Sequence, residues 1–331
     1  MNGAQNNPWM RWGKRALTLF FLLAVPALLY MLARNLDWGE VRQALADYSA
    51  RTLLVGALLS GASYLVFACY DLLGRHYSRH QLPARQVLPV AMVCYAFNLN
   101  FTTWIGGVAM RYRLYMRLGL SASTVTRILS LGLLTNWTGY MALAGVIFSL
   151  RLVQLPENWA LGVTGLQLLG FALLGLVSAY VGICAFSRQR VWHFRERSVT
   201  LPSLRMALLQ LCLGASNWAL MAALIFWLLP EGAAYTSVLG VLLISCMAAV
   251  VAHIPAGLGV LEAVFLALLQ HQYGQASLIA ALLAYRVLYY LLPLLLASAT
   301  YLMLEKRARA MRKGGQAPIE TQPGWREQAP H

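Results

Sequence analysis

Between residues 16 and 304 the chain keeps returning to apolar runs of about twenty residues, the length an α-helix needs to cross about 30 Å of hydrocarbon. The plainest runs are 16–33, 52–74, 124–149, 163–186, 206–229 and 277–304. Hydrocarbon offers no water to the backbone, so such runs fold as helices that pair their own amides and carbonyls. Composition agrees, with 60% hydrophobic and 11% charged residues, where soluble domains carry roughly 25% charged. The expected fold is an all-α polytopic membrane protein. A net charge of +15 would suit a nucleic-acid binder. Lys and Arg fall instead in short clusters between apolar runs, the positive-inside pattern. No DNA- or RNA-binding module accompanies them, so nucleic acid is not an expected partner. The cysteines, Cys69, Cys94, Cys184, Cys212 and Cys246, all sit in apolar runs without CxxC or metal-like spacing. They read as small buried residues. Arg11, Lys14 and Arg15 before the first run resemble the start of a signal peptide. The run is too long and is followed by Arg34, which favours an uncleaved first helix.

Loop charges set the expected topology. Residues 1–15 are basic and cytoplasmic. Loop 34–51 balances Arg34, Arg42 and Arg51 against Asp37, Glu40 and Asp47, and suits the outside. Loop 75–86 carries Arg75, Arg79 and Arg85 without an acid, and is inside. Loop 150–162 (Arg151, Glu157) fits outside, the Arg-rich loop 187–205 inside, and loop 230–234, with Glu231 alone, outside. Lys306, Arg307, Arg309, Arg312 and Lys313 put the C-terminal end inside, within a basic, largely disordered tail, 305–331.

Two apolar regions are broken. In 87–118 the run stops at Trp104, passes Gly106-Gly107, and meets Arg111, Arg113 and Arg117. A single crossing would strand these arginines outside, whereas a re-entrant hairpin returns them to the cytoplasm. In 235–270 the break is His253-Ile254-Pro255-Ala256-Gly257-Leu258-Gly259. The same parity makes this region a hairpin from outside or two packed spans. Six spans and two hairpins form a transmembrane domain, 16–304. Its halves, 16–149 and 163–304, have the same element order and opposite starting sides, the pattern of an inverted-topology repeat.

Broken helices are tolerated in lipid where they are packed in protein or line a wet cavity, so the breaks predict a buried polar centre; a tight turn near the surface is the alternative. Gly106, Gly107, Pro255, Gly257 and Gly259 are the break residues. Glu262 follows the second break and precedes apolar 263–269, and an acid so placed is a functional-site candidate as well as half of an ion pair. Arg286 is its expected partner, unless it snorkels to the surface. Tyr285, Arg286 and Tyr289 form a polar stripe. Arg111 and Arg113 lie just past the first break. Side chains two apart do not share a helix face, so one of them enters the bundle or both anchor its surface. His253 is a lone histidine and reads as packed. Asp71 reads as the local partner of Arg75 at i+4. Asn136 and Asn217 are placed for helix–helix hydrogen bonds, and Gly56, Ser60, Ser63 and Tyr64 for close helix contact in 52–74. No nucleophile–base pair, Walker loop, nucleotide fingerprint or metal cluster appears, so no catalytic residue, metal or cofactor is expected.

At several of these positions the chain resembles the YbhN-type bacterial inner-membrane proteins, part of the larger group sharing the flippase-like transmembrane region of lysylphosphatidylglycerol synthases. The likeness rests on Tyr70-Asp71-Leu72-Leu73, Cys94-Tyr95-Ala96-Phe97-Asn98-Leu99, Trp104-Ile105-Gly106-Gly107 and Met110-Arg111-Tyr112-Arg113-Leu114-Tyr115. It extends to Thr135-Asn136-Trp137, to the second break from His253 to Glu262, and to Ala284-Tyr285-Arg286-Val287-Leu288-Tyr289-Tyr290. It implies a bundle of the bacterial inner membrane associated with moving phospholipid between leaflets. The synthase domain that makes aminoacylated lipid is not expected in this chain. The implied partner is a membrane phospholipid, anionic if Arg111, Arg113 and Arg286 receive its headgroup with Glu262 balancing charge or holding an amine. A non-transporting scaffold for lipid-handling partners and a membrane-embedded lipid-modifying enzyme are the competing classes.

Overall fold

The computed structural model describes residues 38–101, 107–153, 162–187, 191–194, 197–252 and 257–313; the expected span 16–33 lies outside them. In chain order the elements are α1 (Trp38–Ala46), α2 (Ala50–Ser78), α3 (Ala84–Asn100), α4 (Met110–Arg117), α5 (Ala122–Ser149) and α6 (Gly162–Phe186). There follow a hairpin of β1 (Val191–Phe194) and β2 (Arg197–Thr200), then α7 (Leu204–Leu228), α8 (Tyr235–Ala252), α9 (Val260–Tyr273) and α10 (Gln275–Arg286). A π-helical segment (Val287–Leu291) joins α10 to α11 (Leu292–Lys313).

Among the described residues, six stretches are long and apolar enough to cross a membrane: α2, α5, α6, α7, α8 and the continuous Gln275–Met303. Five match the plain apolar runs read from the sequence. The sixth, α8, is the first arm of the broken region 235–270. Large apolar side chains stand exposed along these helices, among them Leu54 (62%), Leu168 (65%) and Leu295 (68%). Lipid tails are as apolar as leucine, so these faces need no protein cover. The protein is an all-α polytopic membrane protein with one small addition. Loop 187–205 holds the antiparallel β1–β2 pair, Val191 opposite Thr200 and Phe194 opposite Arg197, and the Tyr77 hydroxyl donates to the Thr200 carbonyl at 2.6 Å. Helix α1 in loop 34–51 is likewise absent from the hydropathy pattern. The basic run 306–313 continues α11 rather than starting the tail.

The described residues group into two compact units. One draws on segments within 1–61, 140–179 and 218–289, the other on 62–139, 180–217 and 290–331.

In the first unit, small residues bring α5 and α6 together: a Cβ on Gly145 would lie 2.7 Å from the Leu174 side chain, and one on Gly170 would lie 2.5 Å from the Ser149 amide. Helix α1 packs on α10. Its exit is pinned by Tyr48, whose hydroxyl donates to the Leu228 carbonyl at 2.7 Å. Burial pushes that phenol up to about 12, so it stays a donor at any physiological pH. Beside it, the Trp227 indole donates to the Thr52 carbonyl at 3.1 Å. Helices α8 and α9 pack on each other, and the Ala234 amide just before α8 donates to the Tyr273 hydroxyl at the end of α9, at 3.4 Å. The two ends of this broken segment therefore adjoin. With only 14 residues, α9 is about 21 Å long, short of a full crossing. The segment is a helical hairpin of one long arm and one short arm.

In the second unit, α5 and α7 cross in backbone contact: a Cβ on Gly139 would collide with the backbone of Gly214, and one on Gly214 with the Thr135 carbonyl. Polar side chains stitch the neighbouring helices. Ser63 donates to Asn217 (2.8 Å), Asn217 to Tyr95 (3.4 Å) and Gln210 to Thr135 (3.2 Å). Such bonds contribute about 0.6 kcal/mol each on average in membranes. The region 87–118 is also a hairpin. Tyr95, about three turns into α3, stacks on Phe67, about three turns from the end of α2, with centroids 3.6 Å apart. The helices are thus antiparallel, and α3 climbs away from the 79–83 loop. Past the break, Arg111 on α4 meets Asp71, only about two turns from the end of α2. The chain has come back down. With eight residues, α4 is about 12 Å long and spans nothing.

Two measurements check this architecture. Gly139→Ala should lower the thermal midpoint of the purified protein by an overpacking cost of about 1–3 kcal/mol. Gly132→Ala, whose Cβ meets nothing within 4 Å, should be neutral or gain up to about 1 kcal/mol in helix propensity. In a cysteine-free background, Met116→Cys should label only from the cytoplasmic side of sealed vesicles and Glu231→Cys only from the outside. Outside labelling at 116 would contradict the first hairpin.

Candidate functional site

The second break is built by glycine. Gly257 (φ +57°) and Gly259 (φ +78°) lie in the left-handed region, where a β-carbon is disfavoured. Gly259 caps α9, and its amide donates to Glu262 Oε2 at 2.9 Å, one half of a capping box. Glu262, in the first turn, thus turns its carboxylate back over the break. Arg286, the last residue of α10, meets it there. Its Nε donates to Glu262 Oε1 at 2.9 Å, its Nη2 to Oε2 at 3.4 Å, and Nη2 also donates to the Gly257 carbonyl at 3.0 Å. This is the two-pronged guanidinium–carboxylate arrangement. The side chains of Arg286 and Glu262 are 11% and 16% exposed, and the neighbouring apolar Leu258 and Val287 are each 51% exposed.

Arg286 also opens the π segment, whose widened turn leaves carbonyls without their usual i+4 amide. Two side chains also donate to its carbonyls: Ser60 to that of Leu288 at 2.9 Å, and Asn100 to that of Tyr290 at 3.2 Å. Gly56 lets the Leu288 side chain reach α2, since a Cβ there would lie 2.8 Å from Leu288 Cδ1. Tyr285 and Tyr289, both fully buried, stack at 5.3 Å. The break thus carries an ion pair and an anion-facing helix N-terminus, and a π segment follows Arg286.

A second ion pair closes the first hairpin. Arg111 Nη2 donates to Asp71 Oδ1 at 3.0 Å, Arg111 Nε to Oδ2 at 3.2 Å, and the Tyr115 hydroxyl to Oδ2 at 2.7 Å. Arg111 and Asp71 are 8% and 1% exposed. The guanidinium also lies over the Phe67 ring at 5.7 Å.

Of the residues singled out in the sequence, Glu262 and Arg286 are brought together as expected. Gly257 and Gly259 form the break; Gly106, Pro255 and His253 lie outside the described residues. Gly107 begins a short π stretch, 107–109, and a Cβ on it would strike Asn98. Arg111 and Arg113 diverge as their spacing requires: Arg111 is buried, while Arg113 is exposed with its guanidinium over the Tyr301 ring at 5.6 Å. One local reading is corrected. The Asp71 carboxylate goes to Arg111 and Tyr115 rather than to Arg75 at i+4. Tyr115 was missed, though its i+4 spacing from Arg111 on α4 marks the shared face. Ser60 was read as a packing residue and is a partner to the π segment; Asn100 carried no sequence signal.

These features define a class: a polytopic helical membrane protein whose two helical hairpins each contribute to a largely buried arginine–carboxylate pair. Residues 16–297 match the lysylphosphatidylglycerol synthase TM region, and the chain belongs to that family. It is 48% identical over 317 residues to the inner membrane protein YbhN of Escherichia coli strain K12, covering 96% of this chain and 100% of that protein. It is 30% identical over 277 residues to the uncharacterized protein slr0712 of Synechocystis sp., covering 81% and 85% respectively.

The two pairs should respond differently to substitution. Asp71→Asn strands a buried guanidinium and should cost about 3–5 kcal/mol, read from thermal denaturation in detergent. Replacing the cluster together, Asp71→Leu with Arg111→Met and Tyr115→Phe, should return most of that loss.

Proposed function

We propose that this chain handles phospholipid in the bacterial inner membrane, moving headgroups between leaflets without synthase chemistry and with both termini cytoplasmic. The observation that carries the reading is the Glu262–Arg286 pair: a guanidinium fork, nine-tenths buried, at a helix break beside exposed apolar residues. A phospholipid needs this combination. Its phosphodiester matches the arginine fork, while its acyl chains keep to hydrocarbon along faces such as those at Leu258 and Val287. Taking a charged headgroup unaided through hydrocarbon is prohibitive, because nothing there replaces its water. Fixed donors at a break supply that replacement. Arg113, exposed on the first hairpin, gathers anionic headgroups near its own surface. Arg111, held by Asp71, keeps that hairpin closed around the buried face of α4.

A second reading, a non-transporting scaffold for lipid-handling partners, is favoured by the Asp71 cluster, whose carboxylate already accepts three donors within the fold. Reconstitution into proteoliposomes containing labelled phosphatidylglycerol, cardiolipin and phosphatidylethanolamine separates the readings. Faster equilibration between leaflets for at least one lipid, lost in Arg286→Ala with the protein still folded, is the expected result. Unchanged leaflet distribution at high protein density would remove the transport reading and leave the scaffold. A chemically altered lipid would show an enzyme instead.

A further inference from the structure

We propose that Glu262 is an internal stand-in for the ligand: its carboxylate fills the anion position formed by Arg286 and the start of α9, and an incoming phosphate group displaces it. This rests on the phospholipid reading above and specifies how that site is kept when empty.

Three donors converge on one anion position. Arg286 supplies Nε and Nη2, at 2.9 and 3.4 Å from the two carboxylate oxygens, and the Gly259 amide lies 2.9 Å from one of them. Arginine's planar fork accepts a carboxylate and a phosphodiester in the same side-by-side geometry, and an amide at a helix N-terminus faces either anion equally well. The present occupant hangs on a flexible arm from the first turn of α9. It can leave by side-chain rotation alone, without moving the backbone. Arg286 keeps its bond to the Gly257 carbonyl in either state, so the fork stays aimed.

The other ion pair shows what a permanent lock looks like. The Asp71 carboxylate is 1% exposed, and Tyr115 adds a third donor. Glu262 is 16% exposed, next to the open apolar surface at Leu258 and Val287. An internal counter-ion also answers a need of any transport site. An empty fork would leave an unpaired guanidinium in a poorly solvated place, at high cost. A competitor of matching shape keeps the empty site stable and keeps ligand binding weak enough for release.

The consequence is a sign opposite to that for a co-ligand. Removing the Glu262 charge should tighten phosphate binding. Glu262→Gln retains an amide oxygen for the Gly259 N–H, so the break keeps its cap. The full chain, purified in detergent, is titrated calorimetrically with dihexanoyl-phosphatidylglycerol below its micelle concentration, and separately with inorganic phosphate. Glu262→Gln should bind the short-chain lipid about tenfold more tightly than wild type, the value of roughly one charge-assisted contact. Glu262→Asp, whose shorter arm holds the fork less well, should gain less, and carries the test if the glutamine variant does not fold. Arg286→Gln should lose binding. Equal or weaker lipid and phosphate binding by both Glu262 variants would overturn the inference while leaving the phospholipid reading standing. A gain seen with inorganic phosphate alone would keep the displacement and remove the lipid reading. No binding of either probe by any variant would remove both.

Discussion

A backbone amide or carbonyl freed inside hydrocarbon has no water to turn to, and each one left unsatisfied costs several kcal/mol. This chain interrupts its helices in at least two places, and polar side chains reach the backbone groups beside one of them and along the π segment. Arg286 covers the Gly257 carbonyl and Glu262 the Gly259 amide. Ser60 and Asn100 cover carbonyls of the π segment. The charged residues at the second break therefore hold an irregular backbone, and in doing so concentrate donors and acceptors in one place. A bundle of unbroken helices would need none of them and could offer none.

That double duty explains which parts of the protein were legible in the sequence. Span length follows from hydrocarbon thickness, so the runs 52–74, 124–149, 163–186, 206–229 and 277–304 reappear as helices. The hairpins were legible for a different reason. The positive-inside rule is a parity constraint, and a single crossing by 87–118 would have left Arg111, Arg113 and Arg117 on the wrong side. Glu262 and Arg286 stood out because an ionisable residue flanked by apolar sequence must have a partner, and each was the other's nearest candidate in kind.

What the sequence concealed is mostly long-range or too polar to register in hydropathy. Asp71 has Arg75 one turn away, and proximity along the chain suggested that pair. The structure spends the carboxylate on Arg111, forty positions further on, because the hairpin brings α4 back beside α2 while i+4 spacing alone guarantees no bond. Helix α1 and the β1–β2 hairpin fall in loops whose charge counts described their side of the membrane and not their conformation. The π segment has no compositional mark at all. Val287-Leu288-Tyr289-Tyr290-Leu291 reads as ordinary apolar helix.

The two ion pairs show how burial decides what a charge can do. Both are two-pronged arginine–carboxylate pairs, and their burial separates them. Asp71 and Arg111 are sealed by Tyr115 and the Phe67 ring, so any external anion would have to dismantle the hairpin to reach the fork. Glu262 and Arg286 sit at the edge of their own break, with one carboxylate oxygen bonded to a backbone amide that belongs to the same turn. Exchange there costs side-chain rotations and the swap of one anion for another of the same charge sign and similar geometry. A pair sealed on all sides stabilises a fold; a pair with one accessible edge can exchange its anion without unfolding anything. On that ground the second break, and not the first, is where we propose that a ligand is met.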